Sequence, residues 1–377
     1  MSSSVSTQPA ALQQNKSSKR IFNFSAGPAT LPQEVIEKAQ QDMWNIFDTG
    51  IGIMEHSHRG PAFIRVLEEA VTDCRALADI SDDYEVLFLQ GGATLQFAML
   101  AMNFLPRGEV ADYLDTGVWA GKAIEEARKL GKVNVAFDGE SCGYDHTPGA
   151  DEINWSSNAA YAHYCSNNTI YGTRFSQVPE TSAPLIADTS SEMFSRPIDI
   201  DKHAMIYAGA QKNLGPSGVV LVIIRKDFMQ RAPENLPLLL DYREIAAKES
   251  CLNTPPTFGI YFMGQVFKWI LRQGGLQAME KHNAAKATHI YDAIDNHAGF
   301  YTCVSQPQCR SLMNISFRTP SADLDKKFIA EAEQHDMDGL KGYRSVGGIR
   351  ASVYNAFPIA GCQVLADFMK DFAQRNG

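Results

Sequence analysis

From about residue 30 to residue 275 the chain repeats one pattern: a short apolar run closed by turn residues, then a longer stretch with helical spacing. Apolar runs fall at 85–89, 110–114, 133–137, 160–164, 185–187, 204–207 and 219–224. They are too short for helices, and three of them, 185–187, 204–207 and 219–224, are apolar throughout, as strands covered on both faces are. Between them, 61–77, 93–104 and 119–130 place apolar residues three and four apart, which puts them on one helical face. The alternation predicts an α/β fold with a mainly parallel seven-stranded sheet and helices over it. Helical stretches at 259–272 and 276–296 then lead to a second unit. That unit reads as strands 301–304 and 313–317, helix 323–335, strand 349–354 and helix 359–374, a smaller α+β domain. The expected division is a leader over 1–20, a large α/β domain over 21–279 and a small domain over 280–377. The first residues of the large domain could pack with the small one.

A net charge of −9 argues against nucleic acid or an anionic membrane as partner, although a few local arginines could still bind an anionic small molecule. No apolar stretch approaches the roughly 18 residues that a membrane helix needs. The seven cysteines form no CxxC pair and no Cys/His metal spacing. Reduced thiols, a cytoplasmic setting and no metal site are therefore expected. The leader is rich in Ser and Gln, and Lys16, Lys19 and Arg20 are its only charges. It lacks the apolar core of a secretory signal and reads as a disordered leader, with organelle targeting as the other reading.

In a parallel sheet, ligands collect outside the carboxyl ends of the strands, so the residues just beyond each apolar run matter most. The run Tyr207–Gly218 places Lys212 among small residues between two strands. A lysine in a tight, partly desolvated turn loses its proton more easily than a surface lysine, and the neutral amine can form a Schiff base with a carbonyl. Upstream, the strand 183–188 ends in Asp188. A lysine for an aldehyde and a carboxylate for a pyridine nitrogen are the two fixed points that pyridoxal phosphate requires. Gln90-Gly91-Gly92-Ala93-Thr94 joins a strand to a helix start, where unpaired N–H groups favour an anion such as a phosphate. Trp119 could lie against a pyridine ring, and Thr169 could reach its hydroxyl group or Asp188. Each has a plainer reading: a surface lysine, a capping Asp, an ordinary strand-to-helix turn, a core Trp and a polar loop. Their shared position, each just past a strand, favours one cofactor site.

The same residues, in longer stretches, resemble the phosphoserine aminotransferases, fold-type I enzymes of the class V aminotransferase group. The resemblance runs from Phe22-Asn23-Phe24-Ser25-Ala26-Gly27-Pro28-Ala29 to the C-terminal helix. It is carried by Ser57-His58-Arg59-Gly60, Asp188-Thr189-Ser190-Ser191, Tyr207–Gly218, 252–258 and Gly347-Gly348-Ile349-Arg350-Ala351-Ser352. It implies that Lys212 is the Schiff-base lysine, Asp188 the partner of the pyridine nitrogen, Trp119 the stacking residue and Thr169 the hydroxyl contact. Ala93, Thr94 and Gln211 would bind the cofactor phosphate, while Asn253 and Thr254 would reach the phosphate of the other subunit in a homodimer with shared active sites. Arg59 and Arg350 would bind substrate, with His58 and Arg344 near its phosphate. The implied reaction is reversible amino transfer between L-glutamate and 3-phosphohydroxypyruvate, giving 2-oxoglutarate and O-phospho-L-serine in serine biosynthesis.

One position departs from the family pattern. Where Gly-His-Arg is common, this chain has Gly342-Tyr343-Arg344, so a neutral phenol replaces an imidazole that can carry charge. Three other readings remain: an alanine–glyoxylate aminotransferase, a cysteine desulfurase using Cys303 or Cys309, and a binding protein of the same fold without turnover.

Overall fold

The computed structural model describes residues 20–344 and 346–377, so the leader lies outside the described residues except for Arg20. Strand β1 (Phe22–Asn23) precedes helices α1 (Gln33–Asp42) and α2 (Pro61–Ala78). Next come β2 (Tyr84–Gln90), α3 (Ala93–Phe104), β3 (Val110–Asp115), α4 (Val118–Arg128) and β4 (Lys132–Asp138). Strands β5 (Ala159–Cys165), β6 (Leu185–Asp188), β7 (Met205–Gly209) and β8 (Val219–Arg225) follow. Short helices α5 (Lys226–Met229) and α6 (Tyr242–Ala246) lead to the long α7 (Thr257–Arg272) and α8 (Gly275–Asp295). The C-terminal part holds β9 (Thr302–Cys303), β10 (Asn314–Arg318), α9 (Ala322–Gln334), β11 (Met337–Asp338), β12 (Ile349–Ser352) and α10 (Ile359–Asn376).

The large sheet has the order β2-β8-β7-β6-β5-β3-β4. Only β8 runs against its neighbours; the other pairings are parallel. Strand β8 shows why an apolar run folds this way. Val219, Leu221 and Ile223 join one apolar cluster with Phe63 and Leu67 of α2 and Phe267 and Ile270 of α7. Val220, Val222 and Ile224 point the other way, into a cluster with Phe97 and Phe104 of α3 and Ile124 of α4. Both faces are covered by helices, so a polar residue on either would be buried without a partner.

A third cluster fills the C-terminal part, where β12-β10-β9 form an antiparallel sheet and Phe317, Phe328 and Phe372 pack edge to face. Strand β1 pairs in parallel with β11, Phe22 opposite Met337. The first described strand therefore lies beside the C-terminal part of the chain.

Two expected strands come out shorter. The run 301–304 keeps only β9 because Tyr301 turns into the core and its hydroxyl donates to Met369 O at 2.7 Å. The run 349–354 stops at Ser352. Beyond it, the buried Lys286 amine donates to the carbonyls of Val353 at 2.9 Å, Tyr354 at 2.5 Å and Asn355 at 3.3 Å. Those carbonyls are taken up by the Lys286 amine instead of a neighbouring strand. Among the described residues no helix is long and apolar enough to cross a membrane.

Candidate active site

Strands β3, β5, β6 and β7 run parallel, so the residues that follow them meet at one edge. Asp188 ends β6, in register with Cys165 of β5 and Tyr207 of β7. Lys212 lies in the turn after β7, and the Lys212 amine donates to Thr169 Oγ1 at 2.7 Å. The same amine stands 5.3 Å from the centre of the Trp119 ring. Thr116, Trp119, Cys165, Thr169, Asp188 and Lys212 line one small cavity.

The loops that carry these groups are tightly set. The Asn168 carboxamide oxygen accepts from the backbone N–H of Ile170 at 2.8 Å and of Tyr171 at 3.0 Å, while its amide nitrogen donates to Thr116 O. Gly117 has φ +138, and a Cβ there would collide with that amide nitrogen. Helix α4 can start beside the cavity, with Trp119 in its first turn, only because Gly117 has no side chain.

Burial pulls the Lys212 amine below the ordinary lysine range. The Asp188 charge and the Cys165 thiol oppose that shift, and the Arg350 guanidinium adds to it. Burial pushes Asp188 above the usual carboxylate range, against the Lys212 charge and hydrogen bonds from Ser190, whose N–H donates to Asp188 Oδ1 at 2.9 Å. No ion pair links Lys212 and Asp188 among the described residues, so each is left to meet a third group.

The residues fit a flat, polar, anionic cofactor. The Thr116 hydroxyl and the Trp119 indole N–H are buried without partners at the cavity wall. Unpaired buried groups cost free energy, so such a wall suits a ligand that can bond to it. Helix α3 begins at Ala93 with no side-chain cap, and Thr94 is exposed. Gln211 is half-buried in the turn before Lys212.

The candidate substrate residues fall into two groups. Arg350 reaches the loop that lines the cavity: its Nη1 donates to Thr169 O at 3.2 Å, and its Nε is buried without a partner. Tyr343 lies close enough for its hydroxyl to influence the Arg350 charge, and Arg344 beside it is exposed. His58 and Arg59 sit elsewhere. They line a separate cavity with Arg75, Glu249 and Cys251, between α2, β2 and α6, and His58 Nε2 is buried there without a partner. Asn253 and Thr254 are exposed just beyond, and the Asn253 amide donates to Gln90 Oε1 at 3.3 Å.

Cys303 contacts Ser305 Oγ at 3.5 Å, and Cys309 is buried beside Thr147; neither lines the Lys212 cavity. Cys165 does, but burial holds its thiol well above the ordinary range, which disfavours the nucleophilic thiolate. Sequence reasoning missed Thr116, Cys165 and the setting role of Asn168. The available signal was position, since all three stand at the carboxyl end of an expected strand.

Comparison with known proteins agrees with this geometry. The profile of the aminotransferase class-V family matches residues 21–363. A phosphoserine aminotransferase of Lysinibacillus sphaericus is 50% identical over 359 residues, covering 95% of this chain and 99% of that protein. The solved phosphoserine aminotransferase of Bacillus circulans subsp. alkalophilus superposes with a TM-score of 0.94 at 48% identity, covering 96% of this chain and 100% of that one. The solved PLP-bound phosphoserine aminotransferase of Trichomonas vaginalis gives 0.88 at 40% identity, covering 93% and 100%.

Proposed function

The chain belongs to the class-V aminotransferase family, and from that premise we propose how its residues perform the phosphoserine aminotransferase reaction with pyridoxal phosphate. The reaction is reversible amino transfer between L-glutamate and 3-phosphohydroxypyruvate. The observation that carries the residue assignment is the buried Lys212 amine, bonded to Thr169 and facing Asp188 and Trp119 at the ends of parallel strands.

Lys212 would hold the cofactor through its aldehyde carbon, Asp188 its ring nitrogen, Trp119 its ring face and Thr169 its hydroxyl. Ala93, Thr94 and Gln211 would hold its phosphate, with the start of α3 supplying N–H groups and the favourable end of the helix dipole. When bound, the cofactor supplies an electron sink for the electron pair left on the substrate Cα. Asp188 keeps a proton on the ring nitrogen, and burial makes that charge contact stronger than it would be in water. Lys212 Nζ takes the proton from Cα and later returns one. Its lowered proton affinity leaves the amine uncharged, and so basic, at a lower pH than a surface lysine. Arg350, bonded to the Thr169 carbonyl, would hold the α-carboxylate by a two-pronged contact.

We also propose that the working unit is a homodimer. Asn253 and Thr254 would complete the phosphate site of the second copy. His58 and Arg59 share their edge of the chain and would cross with them. The apolar Leu239, 43% exposed and lining a groove with Asn253, supports a covering partner on this side.

A coupled assay of the purified protein with a panel of amino donors and keto acids tests the reaction. Turnover should be confined to glutamate with a phosphorylated keto acid and to the reverse pair. Equal turnover of glyoxylate or pyruvate would overturn the substrate assignment and favour the alanine–glyoxylate reading.

A further inference from the structure

The chain carries a net charge of −9, yet cations gather at one loop without an ion pair to a carboxylate among the described residues. Residues 341–344 and 346–349 close a turn: Lys341 bridges to Ile349, Gly342 N–H donates to Gly348 O at 3.0 Å, and Tyr343 O accepts from the Val346 and Gly347 N–H groups at 2.9 and 2.8 Å. Arg344 lies on this turn and Arg350 just after it. Arg318 at the end of β10 lies against it. None of these three arginines makes an ion pair among the described residues. By contrast Arg196, Arg225, Arg243, Arg272, Arg310 and Arg375 each meet an acid.

The strand pairing orients Arg318. Ser316 is the register partner of Arg350, and its hydroxyl donates to Ile170 O at 2.7 Å. This face of β10 and β12 therefore lies on the 168–171 loop that holds Thr169. Arg318 is two residues beyond Ser316, so its side chain leaves the strand on the same face. Its stem crosses Gly348, where φ is +71 and a Cβ would stand 3.1 Å from Arg318 Cγ. Its Nη2 donates to Val346 O at 3.1 Å. Arg318 is exposed, and its charge is close enough to influence the Tyr171 hydroxyl, whose ring packs at Gly117.

We propose that Arg318 is a specificity-determining residue that attracts the phosphate of the substrate at the mouth of the site. It supplies the positive charge that Tyr343 does not, and this rests on the reading above that the substrate is phosphorylated. The phosphate carries more negative charge than the γ-carboxylate of glutamate, so losing Arg318 should weaken the two substrates unequally.

The test uses the purified holoenzyme, with Arg318→Gln and Arg318→Lys beside the unaltered chain. The Michaelis constants for 3-phosphohydroxypyruvate and glutamate are measured at low and high salt, together with the inhibition constant of inorganic phosphate. Arg318→Gln should raise the constant for the phosphorylated substrate about two- to fivefold, with a smaller rise for glutamate. The inhibition constant of inorganic phosphate should rise by a similar factor, and both effects should shrink in high salt. Arg318→Lys should stay near the unaltered chain. An unchanged ratio of the two Michaelis constants, with unchanged phosphate inhibition, overturns the proposal. If the unaltered chain shows no preference for a phosphorylated keto acid, the substrate reading fails instead. Phosphate inhibition then still decides whether Arg318 holds an anion.

Discussion

The cavity around Lys212 and the edge around Arg59 are built from the same kinds of residue and end in opposite states. Around Lys212, Thr169 and Asp188 are 3% and 7% exposed, and the amine already has its hydrogen-bond acceptor within the chain. Around Arg59, the guanidinium, Asn253 and Thr254 stand exposed, and the buried His58 nitrogen lacks a partner. Folding of one chain brings the groups of the first region together and leaves Thr116 Oγ1 and Trp119 Nε1 unpartnered at its wall. The second displays cationic and polar groups that a single chain does not use, which is what a shared site would require of each copy.

The comparison breaks most decisively at Lys212. Lys212→Ala should lower transamination by at least roughly 100- to 10,000-fold, the worth of a positioned proton carrier, and abolish the absorption of the attached cofactor. Retained turnover without added amines would refute its role. Asp188→Asn should leave the fold intact yet cut turnover about 10- to 1000-fold, because a nearby opposite charge shifts a proton affinity by about one to three pH units. Near-normal turnover would show that Asp188 is not what holds the proton on the ring nitrogen.

The exposed edge predicts a different behaviour. Arg59→Gln should weaken substrate binding while leaving the Lys212 absorption in place. Mixing that variant with Lys212→Ala under subunit exchange should restore up to about a quarter of full activity, since a mixed C2 dimer would hold one intact site. No recovery, despite exchange shown by light scattering of tagged copies, would place Arg59 and Lys212 in one chain's site.

The smallest expected effect is at Tyr343. Tyr343→His should lower the Michaelis constant for the phosphorylated substrate about two- to fivefold, more below about pH 6.5 than at about pH 8. The sign follows from the imidazole: it gains its proton, and its attraction for phosphate, as pH falls. An equal change for glutamate, or no pH dependence, would show that position 343 does not read the phosphate by charge.

The strands of the large sheet were legible because burial on both faces demands apolar residues throughout, as in Val219–Arg225 up to its last residue. Helix α1 was missed: in Gln33–Asp42 only Val35, Ala39 and Asp42 are buried, and Asp42 is held by Lys38 and Tyr261. The pairing of β1 with β11 was not readable either. Two residues carry no period, and Phe22 meets a strand over 300 positions away.

What the sequence determined by itself is the chemistry and its order along the chain. Asp188, Lys212, Trp119 and Thr169 each stand just past an apolar run, and a parallel sheet brings such positions to one edge. The tertiary structure decided which groups share a cavity and which do not. It joined Arg350 to Thr169, set His58 and Arg59 apart from Lys212, and laid Arg318 across Gly348. The physical reason is that local spacing governs burial and strand direction. Whether two cations meet one ligand depends on how separate sheets and loops pack, and only the folded chain fixes that.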